Sequence, residues 1–459
     1  MNKKRVAVVG AGITGLTVAY RLSKKSEDFE VVIFETDEKV GGKLRTSNFA
    51  GFQLDEGADA FLARAPWAVE LFDEVGISEE FVSPRSRSAS IWANGSLIPL
   101  PSPNVLGIPL YPDSEASDVL SAGDSQKIRD GGIPENTITG ETDISIGSLV
   151  RNCVGDSVFE NFVDPLLSGI NAGKADAMSC ATMAPHLLEA ARHRDGLVTA
   201  LKETYEKTDP ESPVFYTHPE GMGHIVKKLA EKIVGSIRKT ENVTSIEPSK
   251  EQWIVKTSTG SEIVDAVVLT NSAQDAANLL HPLSPTVSTR LSEIEHASVS
   301  LVSFAFETLD VEIPENESGF LVPRSSGKLM TACSFSGNKW THLNDGTKTL
   351  MRVSTGRIDD QRHETLDDEE LVECLMDDLK TTLGVEKPPL EFRINRWPKA
   401  LAQFEVGHLQ KLEETLSILE VETPGIFLSG SYHFGVGIPA SIRSGNEAAT
   451  RVLERFGRN

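Results

Sequence analysis

The residues best suited to chemistry come first in the chain. Gly10-Ala11-Gly12-Ile13-Thr14-Gly15 closes an apolar run at 5–9 and opens a helical pattern at 16–22. Strand, glycine turn and helix in that order make a phosphate site. The glycines let the backbone turn sharply and approach a pyrophosphate, whose charge is met by unpaired amides at the helix N-terminus. A second apolar run at 30–34 ends in Glu35, with Thr36 after it. Glu35 follows Gly15 by twenty residues, where a carboxylate accepts hydrogen bonds from an adenosine ribose and disfavours a 2′-phosphate. Gly41-Gly42-Lys43-Leu44-Arg45 then supplies a second turn whose amides and cations point toward the same pyrophosphate. A lone glycine pattern is weak, since many such turns are only structural. The flanking strand, helix and second strand make this one a dinucleotide site, and the second glycine turn favours FAD over NAD.

Composition narrows the partners. The 459 residues suffice for two or three domains with sizeable cores. Acids outnumber bases 67 to 45, and a net charge of −22 argues against nucleic acid or an anionic lipid surface as the main partner. Cys153, Cys180, Cys333 and Cys374 lie far apart without a C-x-x-C pair, which suits reduced thiols in a cytoplasmic protein. The basic residues at 3–5 lead into an apolar stretch that the nucleotide fold uses, so a signal peptide is not expected. No run approaches the roughly 18 apolar residues of a spanning helix, and peripheral membrane contact stays open.

Residues 40–46, Val-Gly-Gly-Lys-Leu-Arg-Thr, and 51–64, Gly-Phe-Gln-Leu-Asp-Glu-Gly-Ala-Asp-Ala-Phe-Leu-Ala-Arg, resemble the bacterial oxygen-dependent protoporphyrinogen and coproporphyrinogen oxidases. These are amine-oxidase-like flavoenzymes of haem synthesis. The resemblance implies that Lys43 and the turn Gly57, Ala58, Asp59 and Ala60 touch the flavin end of FAD. Ala58 replaces the family's usual proline. Arg64 reads equally as a surface cation or as the holder of a substrate carboxylate. Residues 164–173, with Pro-Leu-Leu-Ser-Gly, match the segment that passes the flavin and touches the porphyrinogen near Gly169, and Asn171, standing where the family usually has Tyr or Phe, is a further candidate for the substrate side. Pro-Glu-Gly-Met-Gly at 219–223 is shared too, and Val243 falls where these flavoproteins contact the adenine. Residues 396–408 carry Arg-Trp-Pro-Lys-Ala and Val-Gly-His, with Ala402 and Phe404 in place of Pro and Tyr. Trp397 is expected beside the flavin, with a core tryptophan as the plain alternative. Val436, Gly437 and Ile438 open the last helix, whose N-terminus favours the negative charge of reduced flavin.

The elements that must position these residues form an α/β protein. A Rossmann-like FAD-binding domain is expected from the discontinuous segments 1–80, 205–280 and 390–459. A mostly helical insert covers 81–204, and a sheet-based substrate domain covers 281–389. Asn94-Gly95 marks a hairpin. Strands are expected at 237–246, 252–257, 266–270, 299–306 and 350–353, and helices at 68–75, 371–379 and 442–456. Residues 111–141 read as an irregular segment, either a surface loop or a lid. Cys333 reads as a small buried residue. His224 reads as solvated or capping, because no other His or Cys stands at ligand spacing, and no metal is expected.

The function implied by the resemblance is oxidation of coproporphyrinogen III to coproporphyrin III. Flavin N5 accepts hydride from a methylene bridge, dioxygen reoxidises the flavin to give hydrogen peroxide, and three rounds remove six hydrogens. No residue stands out as an obligatory acid or base. Coproporphyrinogen is favoured over protoporphyrinogen IX by the soluble bacterial motifs, with Arg64, Arg85 and Arg87 as candidates for the extra carboxylates. An amine oxidase or carotenoid desaturase shares the nucleotide motifs, and a porphyrin carrier without catalysis is a third class. Docking to a partner enzyme of haem synthesis stays open.

Overall fold

The computed structural model describes residues 3–112, 118–134, 143–209 and 212–457. Two sheets organise the chain. The first is wholly parallel, in the order Ser236–Arg238, Phe29–Phe34, Lys4–Val9, Ala266–Leu269 and Ile426–Leu428. Its central strands are apolar on both alternating sets of residues, so both faces must be covered. Val6, Val8, Val31 and Ile33 pack on Leu16, Ile225 and Ile442 from the helices Ile13–Ser23, Met222–Glu231 and Ile438–Phe456. Ala7, Val9, Val32 and Phe34 face the other way, onto Val243, Trp253, Ala277 and Leu419. An α/β dinucleotide fold assembled from separated segments is therefore what the chain adopts.

The second sheet has seven strands in the order Glu391–Ala402, His296–Glu307, Lys348–Thr355, Met330–Phe335, Glu317–Leu321, Ser88–Ala93 and Ser96–Pro99. One face carries Val302, Phe304, Met351 and Val353 and is covered by Leu371, Leu375 and Leu379 of the helix Asp368–Leu383. That helix begins at a capping box between Asp367 and Glu370, so the acidic stretch before it is partly spent on the helix start. The other face looks toward the first sheet.

Several expectations are redrawn by pairing. The Asn94-Gly95 hairpin forms, yet it joins the edge of the seven-strand sheet, with Ser88–Ala93 parallel to Glu317–Leu321, rather than a helical insert. Glu391–Ala402, assigned by position to the nucleotide segment, is the opposite edge and pairs with His296–Glu307. A local pattern specifies a strand but not the sheet it enters. The single strand expected over 237–246 is two, Ser236–Arg238 and Val243–Ser249, because the chain turns at Thr240 with φ 56° and continues in another sheet. Within 111–141 lies a helix, Ala122–Arg129, capped where Ser121 Oγ accepts from the Asp124 amide at 3.1 Å. Its Ile128 is buried in the helical core with Leu149, Val150 and Leu197, so this part is neither loop nor lid; residues 113–117 and 135–142 lie outside the described residues.

Candidate active site

A cavity of about 2470 Å3 runs from the C-terminal ends of the parallel strands to the free face of the seven-strand sheet. Ligand pockets usually enclose about 300–1,000 Å3, so this one has room for two sizeable molecules. Open α/β sheets bind ligands just beyond these strand ends.

The glycine turn sits at one end. Gly10 has φ +104°, and a Cβ on Gly15 would lie 2.0 Å from the Gly10 carbonyl oxygen, so strand and helix touch through backbone. Gly12 differs: a Cβ there would meet nothing within 4 Å, because it faces the cavity. The second turn lies alongside, with Gly41 donating to the Ala11 carbonyl at 2.8 Å and the Gly42 Cβ position 3.4 Å from Gly12 Cα. The helix Ile13–Ser23 has no side-chain cap at Gly12, which leaves its first amides turned to open space. This is a backbone cradle that fits a pyrophosphate. Glu35 is positioned by the amides of Ala11 and Asp37, at 2.7 and 2.9 Å, and lines the cavity with Thr36. Val243 lies on the wall beyond it.

Farther in, Lys43 donates to the Ala400 carbonyl at 2.6 Å, and Ser431 Oγ lies 3.5 Å away. The ammonium is open to the cavity but far from the outer surface. That depth pushes it down to about 8, and among the described residues no carboxylate is set against it. A cation so placed fits an anionic or electron-rich ligand. Gly57 passes under Trp397, whose Nε1 donates to the Glu56 carbonyl at 2.9 Å. Asp59, on the same wall, accepts from Lys339 Nζ at 2.9 Å and Trp340 Nε1 at 3.3 Å. Burial raises its carboxyl, but the Lys339 and Arg352 charges outweigh that and hold it well below the usual carboxylate range. Its neighbour Asp55 has no ion pair among the described residues, and burial pushes it up to about 6 although Thr46 and the Met222 amide donate to it and the Arg352 charge acts the other way. Val436, Gly437 and Ile438 close this end at the uncapped start of the last helix.

The other end is built of side chains. Leu301, Leu321, Ser334, Arg352 and Ser354 are the free-face alternates of the second sheet, and Leu166, Gly169 and Ile170 come from the helix Asp164–Asn171. Arg64 and Arg87 line the cavity, whereas Arg85 does not and instead uses its amide on Lys339.

Gly10, Gly12, Ile13, Thr14, Glu35, Thr36, Gly41, Gly42, Lys43, Gly57, Ala58, Asp59, Ala60, Val243, Trp397, Val436, Gly437 and Ile438 thus share one wall system, as do Arg64 and Gly169. Ala11 and Gly15 lie behind the wall as supports. Asn171 is a correction: it is fully buried, does not line the cavity, and neither side-chain polar atom has a hydrogen-bond partner. The helix ends there with the side chain turned inward, while Ile170 and Ala172 reach the wall. Lys339, Arg352, His186 and His193 also line the cavity and were missed. Only Arg352 had a signal, as the charged residue inside the apolar run Leu350–Val353.

His224 is a second correction. His218 stacks on it at 4.4 Å, and Glu80 completes a three-residue group away from the cavity. The bend at residues 219–221 folds the chain back, so two histidines six positions apart meet despite spacing that fits no helix face.

The sequence pattern of the family described as flavin containing amine oxidoreductase matches residues 13–453. A coproporphyrinogen III oxidase of Bacillus subtilis (strain 168) is 28% identical, covering 98% of each chain. One of Mycobacterium bovis is 31% identical over 99% of this chain and 98% of the other. Among solved structures, a candidate protoporphyrinogen oxidase from Exiguobacterium sp. 255-15 superposes with a TM-score of 0.89 at 27% identity, covering 99% of this chain and 100% of that one.

Proposed function

This chain belongs to the flavin containing amine oxidoreductases and is an FAD-dependent oxidoreductase, and we propose that it oxidises coproporphyrinogen III to coproporphyrin III with dioxygen, releasing hydrogen peroxide. The observation that carries the reading is the single cavity that joins the glycine cradle to the free face of the second sheet, with room for a macrocycle beside the cofactor.

Bound FAD supplies a two-electron acceptor that dioxygen returns to its oxidised form. The chain's own residues supply position and field. Amides near Gly12 and Gly42 hold the pyrophosphate, Glu35 the ribose, and Val243 the adenine. Lys43, the turn Gly57–Ala60, Trp397 and residues 436–438 bound the flavin ring. The positive end of the helix Ile438–Phe456 and the Lys43 ammonium favour electron density arriving there. Leu301, Leu321 and the backbone at Gly169 face the tetrapyrrole, and Arg64 and Arg87 meet propionates at the rim. No side chain serves as an obligatory base, and the pyrrole protons leave to water in the cavity.

Among the described residues no helix is long and apolar enough to cross a membrane. A cytoplasmic setting, with enzymes of the same pathway supplying and taking the tetrapyrrole, fits the acidic composition and the free cysteines.

The test is to mix the purified yellow protein anaerobically with each porphyrinogen, then admit dioxygen and follow porphyrin fluorescence. Bleaching of the flavin band and faster turnover of coproporphyrinogen are expected. Preference for protoporphyrinogen IX, the substrate class named for the Exiguobacterium structure, overturns the substrate choice. Bleaching by amines or polyenes alone overturns the reaction class, and binding without bleaching leaves a carrier.

A further inference from the structure

Glu80, His218 and His224 meet at the start of the helix Met222–Glu231, and their ligand atoms lie within 4.8 Å of one another. The hydrogen bonds settle where the protons are. Glu220 Oε2 is 2.9 Å from His224 Nδ1, so that nitrogen carries the ring proton and Nε2 presents a lone pair. This lone pair is buried and without a partner. A carboxylate behind the far nitrogen is how proteins orient an imidazole that binds a metal. His218 Nδ1 accepts from the Glu220 amide at 3.1 Å, and its Nε2 donates to Glu80 Oε2 at 3.1 Å. The His218 side chain is 2% exposed and that of Glu80 50%, so an ion reaches the group from the Glu80 side.

We propose that Glu80, His218 and His224 form a binding site for one divalent transition cation of the zinc type, oriented by Glu220. Two imidazoles and one carboxylate suit Zn2+ or Co2+ better than the oxygen-seeking Ca2+ or Mg2+. Binding moves the His218 proton from Nε2 to Nδ1, at the loss of the contact from the Glu220 amide. It also tilts one ring out of the stack, now within 10° of parallel, so that both Nε2 lone pairs converge. Water completes the coordination. The ion clamps the turn Ser78–Glu80 to the chain entering the helix Met222–Glu231, whose first amide is held by Asp55 and whose Val226 packs at 2.8 Å from the Cβ position of Gly41. It therefore stiffens the back of the cofactor cradle without entering the cavity.

The experiment uses the flavin-loaded protein, stripped with a chelator and dialysed against micromolar Zn2+, with bound metal counted by mass spectrometry and thermal unfolding followed in parallel. One equivalent of zinc and a raised Tm are expected for the wild type. Glu80→Gln and His224→Gln should each lose the equivalent, and Glu220→Gln should bind about tenfold more weakly. An unchanged flavin spectrum shows that each variant is folded. No bound zinc in the wild type, or zinc retained by either ligand variant, overturns the proposal.

Discussion

At its nucleotide end the cavity is walled by backbone: the glycine cradle, the amides that hold Glu35, and two helix starts without side-chain caps. At the other end it is walled by side chains, the alternates of a sheet whose strands come from residues 88–99 and 296–402 and a helix from the 164–171 region. Backbone tolerates no substitution where it touches backbone, whereas a side-chain wall can be exchanged residue by residue. One end that resists substitution and another that accepts it follow from that difference.

The comparison is tested most severely at Gly15. Gly15→Ala drives a Cβ to 2.0 Å from the Gly10 carbonyl oxygen and 2.7 Å from Thr270 Oγ1. The expected cost is about 3 kcal/mol, which read as affinity is about a hundredfold weaker FAD binding, measured as flavin content after gel filtration. A yellow variant with undiminished affinity would break the backbone half of the comparison.

Asp55, beneath the junction of the two ends, gives the next effect. Its native carboxyl titrates at about 6, whereas in the unfolded chain it titrates near 4. Between these values the native state holds the extra proton, so this contribution is fully present below about pH 4 and is lost as pH rises through 6. Asp55→Asn should flatten that decline by about 2 kcal/mol between pH 4 and 7. Urea unfolding at the two pH values checks it, and an unchanged slope refutes it.

At the side-chain end, Arg64→Ala should raise the KM for coproporphyrinogen about tenfold, or about 1.4 kcal/mol, with a smaller change for protoporphyrinogen and unaltered flavin content. Equal effects on both substrates would remove Arg64 from the choice between them. The smallest effect belongs to Asn171. Asn171→Leu removes two unpartnered buried polar atoms and should be neutral or stabilising by about 1 kcal/mol, with turnover unchanged; a large loss of turnover would return that residue to the substrate wall.

How much was legible follows the same division. Gly10 to Gly15, Glu35 and Gly41-Gly42 could be read as one cluster because strand, glycine turn, helix and second strand form a contiguous local pattern, and the structure sets them side by side. The hairpin at Asn94-Gly95 was equally plain as a hairpin, yet its sheet was not, because its parallel partner lies at Glu317–Leu321. Asn171 misled because a motif locates a backbone without fixing which way each side chain turns. The His218 and His224 stack was hidden by a bend that no helical or strand period describes.

Taken alone, the amino-acid sequence determined the parallel nucleotide core, the cofactor class and the order of the motifs, since these depend on local geometry carried by neighbouring residues. Tertiary structure alone decided which strands share a sheet and which of Arg64, Arg85 and Arg87 face the cavity. It also decided that Lys339 neutralises Asp59 and that Glu80 meets two histidines. The reason is physical: pairing, burial and charge compensation are interactions between residues far apart in the chain, and their partners are chosen only when the whole chain packs.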